Sequence, residues 1–205
     1  VKYWEKGSSQ KYVTALTQAQ RNHKIPLFRL RENTTYEYEL YTTTADNSPV
    51  SVGGVRTFTT AAIPGWVKDF YNESKNQIND SNEGYFMFTS RTSPGCIYII
   101  DNSGKIVWYR TSANMLKAVR LTKNNTLLSL EDENNTSFGD GNIILETTLA
   151  GDTLFFLKNG EKGFDKAVHH DININKRGNI VAVTTVLKNG IPGDGLIVFD
   201  RTGAK

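Results

Sequence analysis

A recurring pattern of strands and turns is the feature of this sequence that most restricts its fold. Each copy begins with an apolar stretch and continues into a polar turn that contains a glycine. The copies are GCIYIIDNSGKIVWYR (95–110), GNIILETTLAGDTLFFL (141–157) and GLIVFDRTGAK (195–205). Their turn glycines Gly104, Gly151 and Gly203 are 47 and 52 residues apart. A unit of short strands that recurs about every 40 to 50 residues is typical of β-propeller blades.

A second shared segment lies between these copies. KAVRLTKNNTLLSL (117–130) aligns without gaps with HHDININKRGNIVAVT (169–184), so that Leu121 matches Ile174. This alignment also places Leu116, Lys117 and Ala118 opposite His169, His170 and Asp171. A meander sandwich would not explain the near-constant spacing, so we predict consecutive antiparallel propeller blades in an all-β chain.

The N-terminal part carries a different signature. Leu30, Thr34, Tyr36 and Tyr38 in LRENTTYEY resemble the pattern found before a late strand of fibronectin type III modules. The resemblance implies a tyrosine corner, in which a tyrosine hydroxyl binds the backbone of the preceding turn. Because a complete module needs about 100 residues, we predict a partial β-sandwich over 1–62. A linker over 63–83 and an incomplete propeller of two to three blades over 84–205 follow.

Composition excludes several classes of function. The net charge of +3 on 205 residues, without a clustered basic segment, does not favour nucleic-acid binding. No apolar run reaches eighteen residues, so no membrane span is predicted. The single Cys96 excludes an internal disulfide and any cysteine-rich metal site.

Two adjacent histidines followed by an aspartate begin one of the predicted strands. Strict alternation would place His170 on the same face as Ile172 and Ile174, with His169 and Asp171 on the opposite face. A reactive role predicts that the ring of His170 is open to solvent in a channel-side concavity, with Asp171 orienting a neighbouring imidazole or raising its pKa. A structural role predicts that both rings are buried and hydrogen-bonded. The sequence leaves both alternatives open.

The His-His-Asp-apolar-x-apolar strand, its RGNI turn and the hairpin with Asp101, Gly104 and Trp108 resemble the bacterial aryl-sulfate sulfotransferase family. The resemblance implies a sandwich joined to a six-bladed propeller. It also implies transfer of a sulfuryl group from a phenolic sulfate to a phenol acceptor, through a sulfated histidine and without a nucleotide cofactor. A periplasmic or secreted location is expected, and a homodimer is a candidate assembly.

The same resemblance assigns the candidate catalytic residues. His170 matches the family motif, and His170 with His169 would bind the transferring group and stabilise its charge. The family's sulfated histidine and an arginine come from later blades. No histidine follows His170, so the chain is expected to be a fragment that is inactive by itself.

Other interpretations have weaker support. The main alternative is a non-catalytic sandwich-plus-propeller protein that binds a glycan or a protein. A resemblance of the N-terminal part to the sandwich of purple acid phosphatases lacks the GDxG and GNHE metal motifs that should follow.

No metal or cofactor site is predicted. Neighbouring side chains of the His169–Asp171 triplet would point to opposite faces, which does not suit one ion. The acidic stretch 131–141 lacks calcium-loop spacing and is expected to be a solvated loop. The stretch NGIPGDG (189–195) is expected to be a turn, not a phosphate loop, and His23 is expected in a sandwich loop.

Overall fold

The computed structural model describes residues 1–44, 48–69, 84–136 and 140–202. The described chain is almost entirely β, with antiparallel strand pairing, which confirms the predicted all-β class. It divides into two compact units, one formed by 1–86 with 98–108 and the other by 87–97 with 109–205. The predicted boundaries at 62 and 84 remain a prediction, and residues 70–83 of the predicted linker lie outside the described residues.

The strands form four sheets. One contains β1 (Lys2–Glu5), β2 (Tyr12–Val13), β3 (Thr35–Thr43) and β4 (Pro49–Thr59), in the order β2-β1-β3-β4. The next contains β5 (Tyr85–Ser90), β6 (Gly95–Asp101) and β7 (Ile106–Ser112) in sequence order. A third contains β8 (Met115–Leu121), β9 (Thr126–Asp132), β11 (Ile143–Thr148) and β12 (Thr153–Lys158), in the order β12-β11-β9-β8. The last contains β10 (Asp140–Gly141), β13 (Val168–Ile174), β14 (Ile180–Lys188) and β15 (Ile191–Phe199), in the order β10-β13-β14-β15.

Helix is limited to one turn, α1 (Gly65–Lys68), in the described part of the chain. No described helix has the length and apolar character needed to cross a membrane.

In the first unit, Tyr36 is buried in β3 with 2% of its surface exposed. The Arg31 N–H donates a hydrogen bond of 2.8 Å to the Tyr36 hydroxyl oxygen, and the Tyr36 ring stacks on Phe58 at 5.5 Å between centroids. The predicted tyrosine contact with the preceding turn is therefore present. The assignment of this sheet to a fibronectin module remains a prediction, and His23 lies in a loop, exposed.

In the second unit, the last two sheets pack against each other through a common apolar core. Leu128, Leu130, Ile144 and Leu157 come from one sheet, and Val168, Ile172, Ile180 and Phe199 come from the other. Each is fully buried or nearly so. Two consecutive four-stranded antiparallel sheets that share a core fit the predicted blades, whereas a closed ring of blades remains a prediction.

The tight turns lie where the sequence placed them. In the hairpin β6–β7, the Asp101 carboxylate accepts hydrogen bonds from the backbone N–H groups of Ser103 and Lys105, at 2.9 and 3.1 Å. Gly104 takes a φ of 76°, in the left-handed region that glycine reaches without steric cost. The third turn glycine, Gly203, lies outside the described residues.

Two expectations about loops are wrong. Only Asn189 and Gly190 of the stretch 189–195 form a turn, and β15 begins at Ile191. Their φ values of 54° and 78° fit a two-residue type I′ turn, which continues directly into paired strands. The stretch 131–141 is not simply a solvated loop either, because Glu131 and Asp132 end strand β9 with only 2% of their surface exposed.

Candidate functional site: a histidine pair at a β-bulge

A β-bulge interrupts strand β13 at the histidine doublet. His169 pairs with Val183 and Ile172 pairs with Ala182, so His170 and Asp171 are two additional residues against adjacent residues of β14. A bulge re-aims side chains relative to simple alternation. The predicted placement of His169 opposite Ile172 agrees with the pairing, because Val183 and Ala182 are adjacent on β14. Simple alternation does not apply to His170, which lies within the bulge.

The bulge turns the two imidazoles towards each other. The Nδ1 atoms of His169 and His170 are 2.8 Å apart, and the rings meet edge to face at 4.9 Å and 88°. His169 is buried with 6% of its surface exposed, whereas His170 is exposed. Neither forecast for the doublet holds in full, since one ring is open to solvent and the other is enclosed.

His170 adopts an uncommon backbone conformation in the bulge. Its φ is 60°, a left-handed value that costs an L-residue about 1–2 kcal/mol, although histidine is enriched there relative to most residues. Such conformations persist where the surrounding structure fixes them, and they concentrate at functional sites.

Asp171 does not support a histidine as expected. Its carboxylate accepts two hydrogen bonds from the Arg120 guanidinium on β8, at 3.1 and 2.7 Å, and one of 2.7 Å from the Ile172 N–H. The Arg120 guanidinium, helped by the Ile172 N–H, holds the pKa of Asp171 below its ordinary value. The carboxylate bonds outward to a strand of the neighbouring sheet.

An acidic side chain from another strand lies close to the doublet. Asp194 Oδ1 lies 3.6 Å from His169 Nε2. The type I′ turn sets this contact, because it pairs Asp194 with Thr185, two residues beyond the Val183 that pairs with His169. Asp194 remains 79% exposed at its side chain. On the other edge of β13, Asp140 of β10 pairs with His169.

The neighbouring hairpin β8–β9 contains a bulge at almost the same place, but it holds a different kind of side chain. Leu116 pairs with Glu131 and Ala118 with Leu130, so Lys117 is the additional residue. The Lys117 ammonium is completely buried and lies 3.2 Å from the Asp132 carboxylate. In terms of strand pairing, His169 occupies the place of Ala118 and not that of Leu116. The two additional residues of β13 lie between His169 and Ile172, whereas no additional residue lies between Ala118 and Val119.

A model of the arylsulfotransferase (ASST) family matches residues 69–205. The chain belongs to the arylsulfotransferase family. No curated protein and no solved structure matches the chain. The matched range includes the hairpin with Asp101, Gly104 and Trp108 and the His-His-Asp strand, the two features on which the sequence resemblance to this family was based.

Several polar partners in this chain escaped the sequence analysis. The Glu131 carboxylate accepts hydrogen bonds from Arg110, Ser112, Asn114 and Ser129, at distances from 2.7 to 3.2 Å. Asp194 was read as part of a turn, although Asn-Gly between apolar runs is a strong hairpin signal that fixes which residues face each other. No comparable local signal marks Arg120 as the partner of Asp171.

An exposed imidazole can transfer a proton or donate a hydrogen bond to an anion. Within the described ranges, no group of three or more His, Cys, Asp or Glu side chains could hold a metal ion. Nδ1 of the exposed His170 imidazole is bound to Nδ1 of His169, so Nε2 is the nitrogen of His170 that could contact a ligand.

Proposed function

We propose that this chain forms part of an aryl-sulfate sulfotransferase and that His170 binds and stabilises the sulfuryl group as it moves from a phenolic sulfate to a phenol. His169 holds the ring of His170 in place. Family membership supports the reaction class, and the exposed left-handed His170 at the bulge carries the assignment of the residue.

The chemistry of sulfuryl transfer matches what an exposed imidazole supplies. By analogy with phosphoryl transfer, charge is spread over the peripheral oxygens while the attacking and leaving oxygens lie in line. A positioned N–H donor stabilises those oxygens or the departing phenolate, and such donors act strongly in a site sheltered from water. No nucleotide is needed, because the phenolic sulfate itself is the sulfuryl donor.

The sulfated histidine of this proposal is a residue other than His169 and His170. His23 belongs to the first unit, and no other histidine occurs in these 205 residues. The complete reaction is therefore proposed for the complete protein, with the phenolic sulfate and phenol acceptor as its small-molecule partners. A location outside the cytoplasm and a homodimer belong to the same proposal.

The substitution His170→Ala in the complete protein tests the assignment. Turnover of a nitrophenyl sulfate donor, measured as kcat/KM, should fall by roughly 10²-fold, the usual scale for the loss of one charge-stabilising donor. His23→Gln is the matched control, since His23 lies in an exposed loop of the first unit. Unchanged kcat/KM in a folded His170→Ala protein would remove His170 from the site.

That outcome would favour the alternative function, a non-catalytic protein that binds a glycan or a protein ligand. The burial of His169 is the observation that suits this alternative, because it gives part of the doublet a structural role. Binding that survives His170→Ala, together with absent sulfatase or transferase turnover in the complete wild-type protein, would support it.

A further inference from the structure

We propose that Asp194 and His169 fix the protonation pattern of His170, so that its exposed Nε2 is the one atom of the pair that takes up and releases a proton. This inference deepens the proposed function and, in its link to sulfuryl transfer, rests on it. Two contacts carry the inference and are independent of any reaction: Asp194 Oδ1 with His169 Nε2, and His169 Nδ1 with His170 Nδ1.

The Nδ1–Nδ1 contact restricts the tautomers. At 2.8 Å one nitrogen must donate and the other must accept. A neutral imidazole carries its proton on one nitrogen only, and the partner of the other nitrogen decides which one. The Asp194 carboxylate lies 3.6 Å from His169 Nε2, longer than a hydrogen bond, and its negative charge favours the proton of His169 on that nitrogen. His169 Nδ1 is then the acceptor, and His170 Nδ1–H is the donor.

This assignment leaves His170 Nε2 without a proton in the neutral pair. One additional proton binds there without disturbing the Nδ1–Nδ1 hydrogen bond, because His170 Nδ1 still donates and His169 Nδ1 still accepts. A second proton would have to bind at His169 Nδ1. Two donors would then face each other, and the rings would separate. The pair therefore exchanges one proton at one exposed atom.

The charged groups around the pair are consistent with this pattern. Asp194 on β15 faces His169 Nε2, and Asp140 on β10 is the residue paired with His169 on the other edge. The next residue along β13, Asp171, is bound to Arg120 of β8. On β14 the residue opposite His169 is the uncharged Val183.

In the proposed reaction, this proton has a defined use. When the aryl oxygen–sulfur bond of the donor breaks, its electron pair remains on the phenolic oxygen, and the proton from His170 Nε2 passes to that oxygen. The sulfuryl group goes to the attacking nucleophile. His170 is then neutral with a free Nε2 lone pair, which accepts the proton of the incoming phenol in the second half of the reaction. His169 and Asp194 act through His170 and are positioning residues.

Nitrogen-15 NMR of the histidine side chains tests the tautomers directly, without any need for activity. In the 205-residue chain labelled at its three histidines, we expect His170 to be protonated at Nδ1 and bare at Nε2 when the pair is neutral, and His169 to show the reverse. His23 is the internal reference. A wild-type spectrum in which His170 carries its proton at Nε2 would overturn the inference, whatever the variants do.

Two substitutions at His169 sharpen the test. His169→Asn keeps an acceptor oxygen near the position of Nδ1 and should preserve the Nδ1–H tautomer of His170, whereas His169→Phe should release His170 to the Nε2–H form. In the complete protein, His169→Phe should lower kcat/KM by about tenfold or more and shift the pH profile, with partial recovery in His169→Asn. Equal tautomers and equal pH profiles in both variants would contradict the positioning role.

The two proposals fail separately. If the expected tautomers are observed but His170→Ala leaves kcat/KM unchanged, the assignment of His170 to sulfuryl transfer is wrong and the tautomer inference stands. The opposite NMR pattern with a large His170→Ala effect would do the reverse. Asp194→Ala tests the outer end of the pair, since it should leave His170 as a mixture of both tautomers in the same spectrum.

Discussion

The hairpins β8–β9 and β13–β14 both contain a β-bulge, but the bulged side chains lie in opposite environments. Each carries a bulge near the start of its first strand, one ladder step apart. In the first, the bulged Lys117 is turned inward and buried against Asp132. In the second, the bulged His170 is turned outward into solvent. The bulge is thus common to both hairpins, whereas its side chain is a buried, ion-paired lysine in one and an exposed histidine in the other.

The largest loss of stability should come from removing the buried cation in the β8–β9 bulge. Lys117→Met leaves the Asp132 carboxylate, 2% exposed, without its cation. Removing one partner of a buried ion pair costs about 3–5 kcal/mol of unfolding free energy, measured by urea denaturation of the chain. His170→Asn is the matched change in the other bulge and should cost within about 0.5 kcal/mol, since asparagine tolerates the left-handed conformation. Similar losses in the two variants would contradict the contrast.

A smaller effect tests the turns that close the two hairpins. Asn125 and Gly178 occupy equivalent positions, with φ values of 57° and 85°. A Cβ atom at Gly178 would meet nothing within 4 Å, so Gly178→Ala should cost only the backbone penalty of about 1–2 kcal/mol. Asn125→Gly should change the unfolding free energy by less than about 0.5 kcal/mol. The turns are interchangeable if urea titrations give these values, and a costly Asn125→Gly would show that they are not.

The smallest effect concerns Asp171, the second bulged residue of β13. Its ion pair with Arg120 is about half exposed on both sides, and exposed pairs contribute at most about 1 kcal/mol. Because the pKa of Asp171 is lowered in the folded state, the contribution is present above the unfolded value of about 4 and is lost as pH falls through the folded pKa. Asp171→Asn should therefore lower the unfolding free energy slightly at pH 7 and low salt, and not in strong acid.

The Asp132 carboxylate provides the comparison for that measurement. Burial acts to raise its pKa, but hydrogen bonds from Thr136, Asn134 and Lys117 together hold it below the ordinary value. The stabilisation by the Asp132 carboxylate is also lost as the pH falls. Asp132→Asn should therefore reduce the dependence of the unfolding free energy on pH in acid by more than Asp171→Asn does. High salt should remove the Asp171 effect and spare that of Asp132. An Asp171 effect that survives high salt while the Asp132 effect disappears would contradict the description of Asp132 as buried and Asp171 as exposed.

Local sequence signals were sufficient for the hairpins and the fold class. Alternating apolar residues with Gly104 and Gly151 in polar turns predicted hairpins that are present as β6–β7 and β11–β12. The tyrosine contact of Tyr36 was likewise predicted from a local pattern. These features depend on residues close together in the chain, where turn chemistry and periodicity act directly.

The histidine geometry was not accessible to the same reasoning. Alternation assumes an uninterrupted ladder, and the two additional residues of the β13 bulge are defined only by pairing with β14. The partners of the site are also distant in the chain, since Arg120 lies 51 residues from Asp171. The acidic stretch misled for the same reason, because the cations that bind Glu131 and Asp132 come from other strands.

The Asn189–Gly190 turn makes chain length, and not only residue identity, a requirement of the proposed proton site. Side chains along a strand alternate between faces, so adding or deleting one residue between Thr185 and Asp194 would carry the carboxylate to the opposite side of β15. Within this span the number of residues is fixed by the pairing, and the positive φ values of Asn189 and Gly190 restrict those two positions. Counting residues around the turn is thus a more sensitive comparison among relatives than matching the letters within it.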